Sequence, residues 1–146
     1  MLTRRETVLD RAYWTFETPH FLVTFEPEPE YLDPSDCFES KEDVERASSG
    51  NLHDWFCAVV KVYASRDDGF VYEIGSDSLG ACSYASFDDF VASHRDRDPM
   101  NRNCSVMRAK RGEYVVICHY FPDMVRQAIA DARRNSLAAS RLRRTV

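Results

Sequence analysis

The strongest constraint on the fold is the run of residues 55–63, WFCAVVKVY, in which every position except Lys61 is apolar or aromatic. Aromatic and β-branched residues fit the pleated surface of a strand, and a strand without a polar side is covered on both faces. This segment therefore predicts a strand at the centre of a sheet.

The segments on either side of this run predict antiparallel neighbours for it. Residues 20–25 (HFLVTF) have the period-two pattern of a strand. A turn signal ending in Asp-Gly at residues 66–69 precedes a hairpin partner at residues 70–74. A third strand of the meander is expected over residues 79–84, with Gly75 in a turn or a bulge between the two.

Helical patterns are concentrated toward the end of the chain. Pro122 suits a first helical turn, and apolar residues then recur at helix spacing. This inward stripe comprises Phe121, Met124, Val125, Ala128, Ile129 and Ala132. Capping-box spacing of Ser86 with Asp89 predicts a short helix, and the same spacing of Ser40 with Asp43 predicts a surface helix.

Two polar or ambiguous stretches lie between these elements. Residues 94–112 are rich in Arg, Asp and Asn, which favours an exposed connection, with one helical turn around residues 104–108. Residues 113–118 contain β-branched residues but lead directly into a helical pattern, so strand and helix both stay open there.

Strands that come early and a best helix that comes last favour an α+β fold. We expect an antiparallel sheet of about four to five strands in a meander, with helices packed on one face and a long C-terminal helix. The length of 146 residues fits one domain over 1–146. Within it we distinguish an acidic loop region, 26–50, and a basic C-terminal helix and tail, 121–146.

The five cysteines indicate a reducing compartment. Their number is odd, no CxxC pair occurs, and several lie in apolar runs, which is typical of reduced, buried thiols. The N-terminus lacks the apolar core of a signal peptide, and no apolar stretch approaches the roughly 20 residues of a membrane span. We therefore expect a cytoplasmic protein that does not contact a membrane.

The net charge of −5 conceals a strong asymmetry. Residues 17–45 carry one Lys against ten acidic residues, a net −9, whereas residues 102–146 carry ten basic against three acidic residues, a net +7. A dipolar molecule of this kind has two candidate binding surfaces.

The acidic surface has a simple and a functional interpretation. It could be a solvated charge run, or it could dock on a basic protein groove, imitate the charge of nucleic acid and accelerate encounter. The candidate protein-binding residues are Glu26, Glu28, Glu30, Asp33, Asp36, Glu39, Glu42, Asp43 and Glu45.

The basic end allows a second hypothesis, contact with the phosphates of DNA or RNA. Cations near a helix C-terminus are also favoured by the helix dipole alone, and no interleaved aromatic residues suggest base stacking. The candidate nucleic-acid-binding residues are Arg126, Arg133, Arg134, Arg141, Arg143 and Arg144.

Signals for catalysis, metals and cofactors are weak. An activated thiolate would need Cys57 or Cys82 beside His53, or Cys118 beside His119, and adjacent strand residues point to opposite faces. No local pair has zinc-site spacing, and no phosphate-binding loop, dinucleotide motif or nucleophile elbow occurs. We expect no cofactor and no metal; an enzyme with a Cys or carboxylate centre is a further alternative.

Two motifs resemble small proteins encoded by phages and other bacterial mobile elements. They are residues 79–84 (LGACSY), followed by Ser86 and Phe90, and residues 120–126 (YFPDMVR), which continue the helical pattern to Arg133. In that family a Leu-Gly-Gly-Cys strand precedes a short helix and a Tyr-Phe-led helix ends the chain; Ala81 stands here where a second glycine is usual. The resemblance covers about half the chain and implies a host-directed accessory protein without an assigned catalytic residue.

These observations lead to one functional expectation. The chain is expected to be a non-catalytic interaction protein of a phage or mobile element that binds a host protein through its acidic surface. Inhibition of a host defence system, as by anti-CRISPR proteins, is the concrete form. Nucleic-acid binding through the arginine cluster is the alternative.

Overall fold

The structure, a computed structural model, describes residues 2–91, 94–96, 104–108, 114–118 and 120–145, with side chains for residues 2–91 and 120–137. The strands are β1 Leu2–Arg4, β2 Trp14–Glu17, β3 Phe21–Phe25, β4 Glu28–Pro29, β5 Phe56–Ser65, β6 Phe70–Cys82, β7 His94–Asp96, β8 Cys104–Arg108 and β9 Tyr114–Cys118. The α-helices are α1 Arg5–Arg11, α2 Lys41–Ala47, α3 Phe87–Val91 and α4 Tyr120–Thr145, with 3-10 turns at Pro34–Asp36 and Leu52–Asp54.

The main sheet has the strand order β1-β6-β5-β3-β2, and each neighbouring pair is antiparallel. Strand β4 extends it by pairing with the start of β5. Strand β5 lies between its neighbours, and Phe56, Ala58 and Val60 are fully buried. The apolar run at residues 55–63 therefore occupies the sheet interior, as its composition predicts.

The structure differs from the expected meander at Gly75, where the chain continues as one strand. The two predicted strands at 70–74 and 79–84 form one strand of 13 residues. The register with β5 shifts between the pairs Val62↔Gly75 and Tyr63↔Glu73. The glycine therefore accompanies a bulge, and no turn separates the two segments.

Helix α4 covers one face of the main sheet. The buried residues of the helix are Phe121, Met124, Ala128 and Ala132. They share one hydrophobic core with the strand residues Val23, Phe25, Phe56, Ala58, Val60 and Val62. The predicted inward stripe is confirmed. Two polar contacts fix the helix along β6: Asp131 Oδ2 accepts from the Ser76 N–H at 3.0 Å, and Asn135 Nδ2 donates to the Ile74 carbonyl at 2.7 Å.

Helix α1, which the pattern did not predict, covers the opposite face. Val8 is buried there against Leu22, Tyr63 and Val71. The α+β class, the antiparallel sheet and the long C-terminal helix are confirmed. Helix α4 packs on one face as expected, and α1 adds cover on the other face, since β3 and β5 have apolar side chains on both sides.

The segment after α3 contains a second sheet of order β7-β9-β8, again antiparallel. The helical turn expected at residues 104–108 is instead strand β8, and the open choice at 113–118 resolves to strand β9. The predicted cap of α3 is confirmed, because the Asp89 N–H donates to Ser86 Oγ at 3.1 Å.

Candidate functional site

The loop that begins the acidic region is held in one conformation by hydrogen bonds to the sheet. Glu30 accepts from the Ala81 N–H at 2.8 Å and from the Leu32 N–H at 3.1 Å. The Ala81 bond, followed by the Leu32 bond, lowers the pKa of Glu30. Trp55 Nε1 donates to the Leu32 carbonyl at 2.9 Å, so the backbone around residue 31 is fixed from both sides.

The next turn is fixed in the same way. Asp33 Oδ1 accepts from the Ser35 N–H at 2.9 Å and from the Ser35 hydroxyl at 2.8 Å, and these bonds lower the pKa of Asp33. The Phe38 ring packs on Trp55 with centroids 5.5 Å apart. A loop that is ordered before binding loses less conformational entropy when a partner docks.

Two apolar side chains project from this fixed loop into solvent. Tyr31 is 92% exposed and Leu32 is 57% exposed. A large side chain without cover on a rigid loop is a candidate anchor for a protein partner, because Tyr is enriched at the centres of protein interfaces. Sequence reasoning overlooked both residues, although an apolar pair inside an acidic run was the available signal.

Most of the predicted acidic residues are exposed at the surface. Those classed as exposed are Glu28, Asp33, Asp36, Glu39, Glu42 and Glu45. Lys61 lies 3.9 Å from Glu28, and Lys41 lies 3.9 Å from Glu45. Asp43, half-buried, pairs with Arg46 at 3.3 Å. Among the described side chains, Asp36, Glu39 and Glu42 have no ion-pair partner. We call residues 28–45 the acidic segment.

Glu26 does not belong to that surface, which corrects the sequence-based assignment. It is 5% exposed and lies beneath α1. Its carboxylate accepts from Thr24 Oγ1 at 2.6 Å, from the Tyr63 hydroxyl at 2.7 Å and from Arg11 Nε at 2.6 Å. Arg11 also donates to the Tyr63 hydroxyl at 3.0 Å. The alternation of β3 continues through residue 26 and places this acid on the α1 side.

The hydrogen bonds keep Glu26 ionised although it is buried. Burial raises its pKa, but the bonds from Thr24, Tyr63 and Arg11 outweigh burial, and the pKa lies below its usual value. Burial and the Glu26 bond in turn raise the pKa of Tyr63. The group is a structural centre that joins α1 to β3 and β5.

Three members of the arginine cluster, Arg126, Arg133 and Arg134, have described side chains. Arg126 lies 3.6 Å from Asp123 and Arg134 lies 3.5 Å from Asp131, both on the same helix. Arg133 is exposed and has no ion pair among the described side chains. The remaining candidates, Arg141, Arg143 and Arg144, lie in α4, and their side chains are outside the described set.

Among the described side chains, the acidic segment forms no ion pair with α4. Where the structure describes side chains, each ion pair of the acidic segment is made with Lys41, Arg46 or Lys61. The described pairs of α4 are internal to that helix.

The proposed thiol–imidazole pairs are not formed among the described side chains. Cys82 is buried, and burial raises its pKa to about 12. Burial, followed by the nearby charge of Glu30, raises the pKa of Cys57. His53 instead contacts the Tyr84 carbonyl, 3.0 Å from Nδ1. His119, the candidate partner of Cys118, lies outside the described residues.

The second sheet pairs cysteines and a histidine that are distant in the sequence. Its register pairs Cys118 on β9 with His94 on β7 and with Cys104 on β8. These three residues therefore share one row across the sheet. Among the residues whose side chains the structure describes, no three His, Cys, Asp or Glu groups are arranged to hold a metal ion.

Two cavities open on the α4 side of the main sheet. The smaller, about 350 Å³, is bordered by Phe38, Arg46 and Tyr120. On its wall Ala81 has a φ of 55°, and the Ser83 hydroxyl oxygen is shielded from solvent without a hydrogen-bond partner. The larger cavity is apolar.

Comparisons with known proteins give no match. No family model matches the chain, and no curated protein or solved structure is significantly similar to it. Within the described residues, no helix combines the length and apolar character needed to cross a membrane.

Proposed function

We propose that this chain is a non-catalytic protein-binding module that docks on a basic partner through the acidic segment, with Tyr31 as its central anchor. The observation that carries the proposal is the 92% exposure of Tyr31 on a loop that hydrogen bonds hold fixed. A fully exposed aromatic residue in such a setting gains buried area and a hydroxyl contact when a partner covers it.

In this proposal the carboxylates of the acidic segment orient the partner and provide specificity. Charged groups at the rim of an interface steer the encounter and reject partners of the same sign, and they add less to affinity than a buried anchor does. Asp36, Glu39 and Glu42 suit this role because they have no ion-pair partner among the described side chains. The lowered pKa values of Glu30 and Asp33 extend the negative charge of the loop to lower pH.

We place this module in a bacterial cytoplasm, as a phage or mobile-element factor that occludes a host protein. Support comes from the resemblance of the motifs at residues 79–84 and 120–126. A host defence protein with a basic nucleic-acid groove is the partner class that this surface fits, because clustered carboxylates can replace phosphates there. Inhibition would be steric and electrostatic.

Capture from a bacterial host extract with matched charge-reversal variants tests the proposal. The test variant combines Asp36→Lys, Glu39→Lys and Glu42→Lys, which leaves the hydrogen-bonded Glu30 and Asp33 intact. The control variant carries the same charge change elsewhere on the surface, at Glu6, Asp10 and Asp67. We expect the wild-type chain and the control variant to retain a basic protein in a salt-sensitive manner and the test variant to lose it.

Tyr31→Ala provides the second arm of this experiment. Loss of an interface hot spot costs about 2 kcal/mol or more, which corresponds to roughly 30-fold weaker binding. Equal capture by the wild-type chain, the test variant and Tyr31→Ala would reject the acidic segment as the docking surface. Circular dichroism of each variant confirms that the fold is retained.

A further inference from the structure

The larger cavity is an apolar cleft between α4 and the β2–β3 side of the main sheet. Its volume is about 560 Å³, within the range of small-molecule sites. Hydrocarbon groups form most of its wall, including Phe16, Phe21, Ile74, Ile129 and Leu137. Phe16, Phe21 and Leu137 are 55%, 45% and 53% exposed, so a large apolar surface stays uncovered around the opening.

The cleft exists because α4 is fixed close to β6. At Gly75 an added Cβ would lie 2.5 Å from the Ala132 nitrogen and 2.7 Å from the Ala128 carbonyl oxygen. The bond from Asn135 to the Ile74 carbonyl holds the same side of the helix. Because the helix lies close to β6, it does not cover Phe16 and Phe21, which lie toward the β2–β3 edge of the sheet.

One unpaired cation lies at this cleft. Arg133 lines it and is exposed, and among the described side chains it forms no ion pair. Its neighbours on α4 differ, because Arg126 and Arg134 each pair with an aspartate on the same helix. A guanidinium beside an apolar cavity is complementary to a ligand with an anionic head and a hydrocarbon body.

The few polar groups of the lining argue against a sugar or a nucleobase as the ligand. Thr18 Oγ1 already accepts from the Phe21 N–H at 3.0 Å and donates to the Phe21 carbonyl at 3.3 Å. Besides Arg133 and Thr18, the lining contains one further polar residue, Ser136. A sugar or nucleobase would leave buried donors and acceptors unsatisfied there, which costs about 1–3 kcal/mol for each group.

We propose that the cleft binds an aliphatic carboxylate of the fatty-acid class, with the alkyl chain along Phe21, Ile74 and Ile129 and the carboxylate on Arg133. The chain would remove the exposed aromatic and aliphatic groups from water. The guanidinium would hold the head group through two parallel N–H···O bonds. This binding site is independent of the acidic segment.

Isothermal titration with sodium decanoate tests this site, with 1-decanol as the uncharged probe. We expect one decanoate to bind per chain. Arg133→Gln should weaken decanoate binding about tenfold or more through loss of a charge-assisted pair, without changing the affinity for decanol. Arg134→Gln is the matched control, since Arg134 is adjacent, exposed and outside the lining, and it should bind decanoate as the wild-type chain does.

A variant that fills the opening gives an independent readout. Ser136→Trp places an indole at the mouth and should abolish binding of both probes while the helix content is unchanged. Absence of heat with the wild-type chain would overturn the proposal. So would equal weakening by Arg133→Gln and Arg134→Gln, or sedimentation showing that a second copy of the chain covers the cleft.

Discussion

Glu26 shows how much of this molecule depends on single side chains. A carboxylate that is 5% exposed must find partners for its oxygens, and Thr24, Tyr63 and Arg11 supply them. The sequence places this residue at the start of an acidic run, next to residues that are exposed. Charge counting cannot separate them, because only the strand alternation through β3 decides which side residue 26 occupies.

Glu26→Ala should lower the free energy of unfolding by about 2–4 kcal/mol, because the hydroxyls of Thr24 and Tyr63 lose their buried acceptor. Glu28→Ala is the matched control, and we expect a change below about 0.5 kcal/mol for this exposed acid. Urea denaturation monitored by tryptophan fluorescence measures both. Equal stability of the two variants would contradict the role of Glu26.

The same carboxylate predicts a pH dependence of stability. The pKa of Glu26 is lower in the folded protein than its usual value, so its contribution is fully present above the unfolded pKa, about 4.3. It is lost as the pH falls through the folded pKa. The difference in unfolding free energy between the wild-type chain and Glu26→Gln should therefore shrink below about pH 4.3. A constant difference down to pH 2 would contradict this account.

Gly75 allows α4 to pack closely against β6. Gly75→Ala should destabilise the fold by about 1–3 kcal/mol, since the new methyl group meets the backbone of Ala132 and Ala128. Ser76→Ala changes the neighbouring exposed residue and serves as the control. Thermal unfolding measures the effect. An unchanged Tm for Gly75→Ala would show that α4 does not lie this close to β6.

At the scale of elements, patterns with a clear period were predictable. The apolar run of β5, the alternation of β3 and the inward stripe of α4 each record a buried face directly in the sequence. The single strand β6 was not predictable, because Gly75 has the same composition signal whether it makes a turn or a bulge. Helix α1 was also missed, since Val8 is the one residue of that helix that is fully buried.

The pairing of distant residues in the second sheet was likewise not predictable from the sequence. Nothing in the spacing of Cys104 and Cys118 indicates that they face each other on β8 and β9. Their pairing depends on strand register, which tertiary structure sets. The sequence therefore contains no local pair with the spacing of a metal site or a CxxC motif.

This register predicts a disulfide under mild oxidation. Cross-strand partners in an antiparallel pair have Cα atoms about 4.5–5.5 Å apart, inside the range of about 4.4–6.8 Å that a disulfide spans. Diamide treatment followed by non-reducing peptide mapping should link Cys104 to Cys118. Cys37, which is exposed, should remain available to a thiol reagent. Linkage of Cys118 to a different cysteine would contradict the register.

At the scale of the whole molecule, the charge asymmetry is the sequence feature with the widest consequence. The acidic segment and the described part of α4 form separate ion pairs, so the negative surface stays available to a partner. The sequence identified this surface by charge. It did not identify Tyr31, because exposure on a fixed loop depends on hydrogen bonds from Ala81 and Trp55.

Site-specific photo-crosslinking at residue 31 in host cells tests the central claim most directly. A benzoylphenylalanine at Tyr31 is compared with one at Tyr72, a tyrosine on β6 that is 39% exposed. We predict that position 31 crosslinks to one basic protein, that excess wild-type chain competes for it, and that the Asp36, Glu39 and Glu42 charge-reversal variant does not compete. Equal crosslinking of the same proteins at positions 31 and 72, or none at position 31, would contradict the account.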